Sequence, residues 1–267
     1  MKFSRAYAIV LRYAYLLRGS ATRIVPLFAW SVIDIVLWGF ITKYLNRVTS
    51  SQIDFVPMLL GAVLFWDFFT RVMQGVTTTF FEDVWSRNFL NIFSTPMKIS
   101  EYLAGLVSTT IITSTVGLAG MLVMASAAFG LSFFSYGIMF IPFILVLVLF
   151  GIAFGIFACA LVLRLGPASE WFIWPIPAIL APFAGVFYPV STLPEWMQYI
   201  SRILPASYVF EGMRDVVAQR TVSIMPILLG GGISLLYILL AYLTFSRVYN
   251  YAVENGLIAR YSAESVS

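Results

Sequence analysis

Apolar residues in this chain run in long blocks, with polar residues confined to short stretches between them. A helix rises about 1.5 Å per residue, so about 20 apolar residues cross the roughly 30 Å hydrocarbon core of a bilayer. Six blocks reach or approach that length, at residues 24–41, 55–81, 103–129, 137–163, 171–188 and 222–245. The fifth is short and holds Pro175, Pro177 and Pro182. It is expected to be a kinked helix whose freed carbonyls are satisfied by neighbouring helices. The pattern predicts an all-α polytopic membrane protein with six transmembrane helices in a single domain over residues 24–248, followed by a cytoplasmic tail at 249–267.

Three segments outside these blocks keep a helical apolar period. In residues 1–23, Phe3, Tyr7, Val10, Ala14 and Leu17 recur at helical spacing with Arg5 and Arg12 on the other face. That is the pattern of an amphipathic interfacial helix lying in the membrane plane; Arg18 departs from it. Residues 82–100, EDVWSRNFLNIFSTPMKIS, mix charges with Trp85, Phe89, Leu90, Ile92 and Phe93, as a docking helix for a partner does. Proline disfavours helix at the residue before it, so Thr95 and Pro96 are expected to end that helix. In residues 185–214, Pro189, Pro194 and Pro205 interrupt a stretch in which Trp196, Ile200 and Ile203 still keep helical spacing. Short re-entrant helices between spans five and six are predicted there, with Tyr188, Trp196, Tyr199 and Tyr208 at headgroup level.

Composition agrees with the bilayer as solvent. The chain has 267 residues, 61% hydrophobic and only 10% charged, against about 25% charged in soluble domains. Its net charge of +4 does not imply nucleic acid, because position decides. Lys2, Arg5, Arg12, Arg18 and Arg23 precede the first block with no acid among them, which favours cytoplasmic retention and attraction to anionic membrane lipids. With the amino terminus inside, the inner segments hold ten Lys and Arg residues and the outer segments five, with Arg71 inside a span. Both termini are then cytoplasmic. The chain has no His, which excludes His-ligated zinc or haem and Ser-His or Cys-His catalysis. Its one cysteine, Cys159, forms no internal disulfide.

Charges inside spans are costly and should not face lipid. Asp67 and Arg71 are four residues apart, share a helix face and can pair. They stand either beside a transport path or in a structural ion pair, and a partner for Asp34, if it has one, comes from another helix. Gly151 and Gly155 make a GxxxG pattern, and Gly230 to Gly232 a triplet, both expected to pack helices within one subunit. Aromatics at 17% suit membrane belts and equally a stacking surface for a sugar or a planar drug.

The run from Phe80 through Glu82 to Thr95 and Pro96 resembles the coupling region of type II ABC exporter permeases, which include drug, polysaccharide, teichoic-acid and lipid exporters. The run Phe187-Tyr188-Pro189, Leu193-Pro194-Glu195-Trp196, then Pro205, Tyr208, Glu211 and Arg214 resembles the same family's signature after its fifth span. Asn88 and Phe89 depart from it, standing where small or Gly-containing turns are common. The resemblance implies a homodimer, a second copy of this chain completing the membrane core, with two ATP-binding cassette ATPase subunits. Glu82, Asp83, Trp85, Arg87, Phe89, Thr95 and Pro96 would couple to the ATPase. Tyr188, Pro189, Pro194, Trp196, Pro205, Glu211 and Arg214 would form a re-entrant gate.

The chain has no GxxxxGK[ST] phosphate loop. Under the resemblance, ATP and Mg are therefore bound by the partner subunit, and this chain carries no cofactor of its own. The implied function is ATP-driven export of an amphipathic, lipid-linked or drug-like substrate across a bacterial or archaeal cytoplasmic membrane. Two other classes compete. A secondary transporter or channel would need intramembrane carboxylates, and only Asp34 and the paired Asp67 are available. A membrane-embedded enzyme would need clustered His, Cys or carboxylates, which the sequence lacks.

Overall fold

The computed structural model describes residues 2–19, 21–49, 55–86, 88–221 and 223–257, and in α2 the side chains of 21–24 and 26–28 are outside that description. The described residues form helices and turns with no strand. Ten α-helices follow in order: α1 (Phe3–Arg18), α2 (Ala21–Val48), α3 (Gly61–Trp85), α4 (Asn88–Phe93), α5 (Ile99–Phe129), α6 (Phe140–Leu165), α7 (Ile176–Ala184), α8 (Glu195–Ile203), α9 (Pro205–Val217) and α10 (Ile224–Glu254). Among the described residues, four helical stretches are long and apolar enough to cross a membrane: Val56–Val84, Ile99–Phe129, Phe133–Leu165 and Ile224–Glu254. They cover the blocks at 55–81, 103–129, 137–163 and 222–245. The 28-residue α2 covers the block at 24–41.

Helices α3 and α6 are the centre of the bundle. The most apolar window of each is 61% buried, against 28% in α5 and 22% in α10. Small residues make the central packing close. A Cβ on Gly151 would stand 2.8 Å from the Val72 side chain, and one on Gly155 would stand 2.7 Å from Val76 and 2.9 Å from the Met73 carbonyl. The GxxxG pattern therefore seats α6 directly on the α3 backbone, inside one subunit, where dispersion rather than hydrophobic transfer holds helices together. Phe69 and Phe150 stack across this seam with centroids 4.8 Å apart. Around it, α10 packs on α6, α5 on α3, and α2 on α5 and α3. The outward faces of α2 and α10 carry exposed Val32, Leu37, Phe40, Leu228, Leu236 and Leu239, an apolar surface that suits lipid.

The block at 171–188 is not one long helix. Gly166 (φ 98°) ends α6, a 3-10 turn follows at Pro167–Phe172, and α7 begins only after Pro175. The nine residues of α7 span about 14 Å, less than half the hydrocarbon thickness. Pro175 and Pro177 stand at the start of α7, where no intrahelical N–H bond is lost, and Pro182 inside it removes one N–H from the helical ladder. Gly185 (φ 61°) closes the helix in the left-handed region.

Candidate functional site

Three groups of polar residues stand out against the apolar bundle. The first lies where α1 crosses the end of α3 and the start of α5. Here α1 turns its arginine face to the bundle: Ala6 and Ile9 are buried, while Phe3, Tyr7 and Tyr15 are exposed. Gly105 of α5 admits the crossing, since a Cβ there would stand 2.7 Å from the Ile9 side chain and 3.1 Å from the Ala6 carbonyl. Two ion pairs fasten it. Arg5 donates to the Pro96 carbonyl and stands 3.0 Å from a Glu101 oxygen. Arg12 pairs with Asp83, whose other oxygen accepts from the Tyr102 hydroxyl at 2.8 Å. Glu101 also accepts from the Lys2 and Lys98 backbone N–H groups at 2.7 and 3.1 Å, so it caps α5 and anchors the α1 entry at once.

This geometry separates the expected coupling residues. Asp83, 1% exposed, faces α1 and α5. Phe89 is buried against Phe80, Phe93 and Tyr102. Phe89 and Phe93 are thus packed against the chain's own α3, α5 and α10, since Phe93 also meets Tyr249 with centroids 5.0 Å apart. Glu82 is half-buried. The outward surface of this corner is Ser86, Asn91, Ser94, Thr95, Pro96 and Lys98. Thr95 donates to the Ile92 carbonyl, closing α4 as its proline pair predicts. Arg87 and the Trp85 side chain lie outside the described residues.

The second group is at mid-length. The Ser31 hydroxyl on α2 donates to an Asp67 oxygen at 2.6 Å and accepts from Arg71, whose guanidinium stands 3.7 Å from the same carboxylate. Asp67 and Arg71 pair as their spacing predicts; Ser31, which ties them to α2, carries no sequence signal beyond its position one turn before Asp34. Beside this triad a groove of about 760 Å³ opens between α2, α3 and the start of α7. Trp30, Trp38, Trp66 and Trp174 line it together with Asp34 and Asp67. Trp38 stacks on Phe187 at 4.7 Å and an interplanar angle of 10°. Among the described residues, no three His, Cys, Asp or Glu are grouped to hold a metal.

The third group is at the opposite end from α1. Arg214 on α9 donates to the Gly185 carbonyl at 2.8 Å and pairs with Glu211 at 2.7 Å, and Glu211 accepts from the Val190 N–H at 2.7 Å. The two residues latch α9 to the turn after α7. Tyr188 donates to the Pro182 carbonyl at 2.9 Å, and Ser201 of α8 to the Phe183 carbonyl at 2.6 Å. Pro194 precedes α8 and Pro205 opens α9, positions where a missing N–H costs nothing. Pro189 opens the next turn by accepting from Thr192. The structure therefore gathers Tyr188, Pro189, Glu211 and Arg214, while Trp196 points outward, 60% exposed, with its ring edge against Phe183 at 6.2 Å.

Compared with known protein families, residues 10–218 match the family model described as ABC-2 type transporter. The match covers well over half of the chain and includes the second and third polar groups whole and the first without Lys2 and Arg5. The chain belongs to the ABC-2 type transporter family. No curated protein matches it. As an ABC-2 transporter component the permease is a multi-pass membrane protein, and the family implies association with an ATP-binding cassette partner. In the permease, α1, α4 and the start of α5 meet at one end, and the Arg214 latch lies at the other.

Proposed function

We propose that this permease is the membrane subunit of an ATP-driven exporter, working as a homodimer with two ATP-binding cassette subunits and moving an amphipathic, lipid-linked or drug-like substrate out across the cytoplasmic membrane. The observation that carries this reading is the family match over residues 10–218. In the proposed arrangement the blocks at 24–41, 55–81, 103–129, 137–163, 171–188 and 222–245 are six spans. The α1 end faces the cytoplasm, as the excess of Lys and Arg in the segments assigned to that side favours. The broken fifth span, α8 and α9 form the re-entrant outer gate held by Arg214 and Glu211.

The ATPase docks on the outward corner at Asn91, Ser94, Thr95 and Pro96. Motion of that corner reaches the bundle through Phe89, packed on Phe80 and Tyr102, and through Pro96, whose carbonyl is tied to Arg5. Such contiguous packed and hydrogen-bonded chains are how coupling is transmitted. The groove of Trp30, Trp38, Trp66 and Trp174 is the substrate path in each half.

Co-purification with the cognate ATP-binding subunit and assay of vanadate-sensitive hydrolysis test the proposal. Asn91→Trp and Thr95→Arg, both on the outward corner, are expected to release the ATPase or to uncouple it while the permease itself remains folded. Transport by the reconstituted permease without nucleotide would overturn the reading.

A further inference from the structure

The charge balance of the mid-length groove points to its cargo, on the reading that the groove is the substrate path. Asp67 is served by two partners, the Ser31 hydroxyl at 2.6 Å and the Arg71 guanidinium at 3.7 Å. Asp34, one helical turn along α2 from Ser31, has neither: among the described residues no hydrogen bond or ion pair reaches its carboxylate, and the charge it feels across the groove is that of Asp67. Among the described residues two carboxylates, Asp34 and Asp67, thus line the groove, and the Arg71 guanidinium pairs with one of them. The surrounding wall is aromatic, with Trp30, Trp38, Trp66 and Trp174 on three sides and Phe187 stacked on Trp38.

The charged form of a carboxylate without a counter-ion is costly in such a low-polarity wall, and an arriving cation lowers that cost. Indole faces attract cations as well, most strongly when both partners are desolvated. The volume of about 760 Å³ falls within the range of about 300–1,000 Å³ typical of small-ligand sites. An anionic headgroup entering the same groove would meet the Asp34 carboxylate, while the Arg71 guanidinium is already paired with Asp67. We infer that the groove selects a monocationic amphiphile with a bulky aromatic or apolar body, and that Asp34 is the residue that sets this charge preference.

Two rigid ions of matched size and opposite charge, tetraphenylphosphonium and tetraphenylborate, separate charge from bulk. Binding of each to the purified permease in nanodiscs is measured by quenching of tryptophan fluorescence, in the wild type and in Asp34→Asn, Asp34→Glu and Trp38→Leu. Comparing each variant with the wild type for the same ion removes the different partitioning of the two ions into lipid. Asp34→Asn is expected to weaken tetraphenylphosphonium by about tenfold or more, an effect between that of a charge contact in bulk water and one near a protein surface, and to leave tetraphenylborate unchanged or tighter. Asp34→Glu should restore most of the cation's affinity. Trp38→Leu should weaken the cation by about fivefold.

Saturable quenching by both ions that is insensitive to Asp34→Asn would overturn the charge preference while leaving the groove as the path. Cation binding unmoved by Asp34→Asn would also result if a second copy of the chain supplied a cation to Asp34, and would overturn it equally. Absence of saturable quenching by either ion would remove the groove from the substrate path, and the preference with it.

Discussion

At Asp83 a single carboxylate receives the Arg12 guanidinium on one oxygen and the Tyr102 hydroxyl on the other, at a site 1% exposed. Such a group is stabilising only while both donors are present, because each donor left alone keeps its desolvation cost. Tyr102→Phe is expected to lower stability by about 1 kcal/mol. Asp83→Ala should cost more, about 2 kcal/mol, held below the deep-burial range because Arg12 stays 27% exposed to solvent. Thermal unfolding of the detergent-purified protein measures both, and the double variant should cost less than the sum of the singles because the partners share one network. Cys159, fully buried on α6 with its sulfur 3.8 Å from the Val76 carbonyl, supplies a second residue-scale test. It should resist maleimide in the folded protein and react fully after unfolding in SDS; rapid labelling of the folded form would contradict the α3–α6 packing.

For whole elements, close approach decides which helices belong together. Gly105 lets α1 lie on α5, and Gly151 and Gly155 let α6 lie on α3. Gly105→Leu is expected to lift α1 while leaving the rest of the bundle intact, so that trypsin cleaves at Arg5, Arg12 and Arg18 and releases the amino-terminal segment. Protection equal to the wild type would show that α1 is held by its ion pairs alone. Gly155→Leu acts on the centre instead. It should reduce thermal stability and folded yield, since neither the Val76 side chain nor the Met73 carbonyl has room to yield. The amphipathic period of α1 was readable from its apolar spacing. Its docking was not, because Arg12 and Arg5 find their carboxylates 71 and 96 residues away, and no local pattern records a partner at that separation. The same holds for α4, whose Phe89 and Phe93 fill the space between α3, α5 and α10.

For the molecule as a whole, the proposed topology makes opposite ends reachable from opposite sides. In a Cys159→Ala background, Ser191→Cys beside the Arg214 latch should react with an impermeant maleimide added to intact cells. Ser94→Cys on the α4 corner should react only after the membrane is opened, and the reverse pattern would invert the orientation. Hydropathy alone determined that the chain is helical and built for a bilayer, since a block of about 20 apolar residues has no other way to satisfy its backbone in lipid. It also marked the spacing of Asp67 and Arg71, because residues four apart on a helix must share a face. Only the tertiary structure decided that the proline-rich block breaks into α7 and short turns, that Glu211 and Arg214 fasten α9 to them, and that Ser31 ties the Asp67–Arg71 pair to α2 beside a groove in which, among the described residues, Asp34 has no ion-pair partner. Those outcomes depend on which helices meet, and helix contacts in this bundle are set by shape and small residues rather than by the hydrophobic pattern, which lipid and protein interior share.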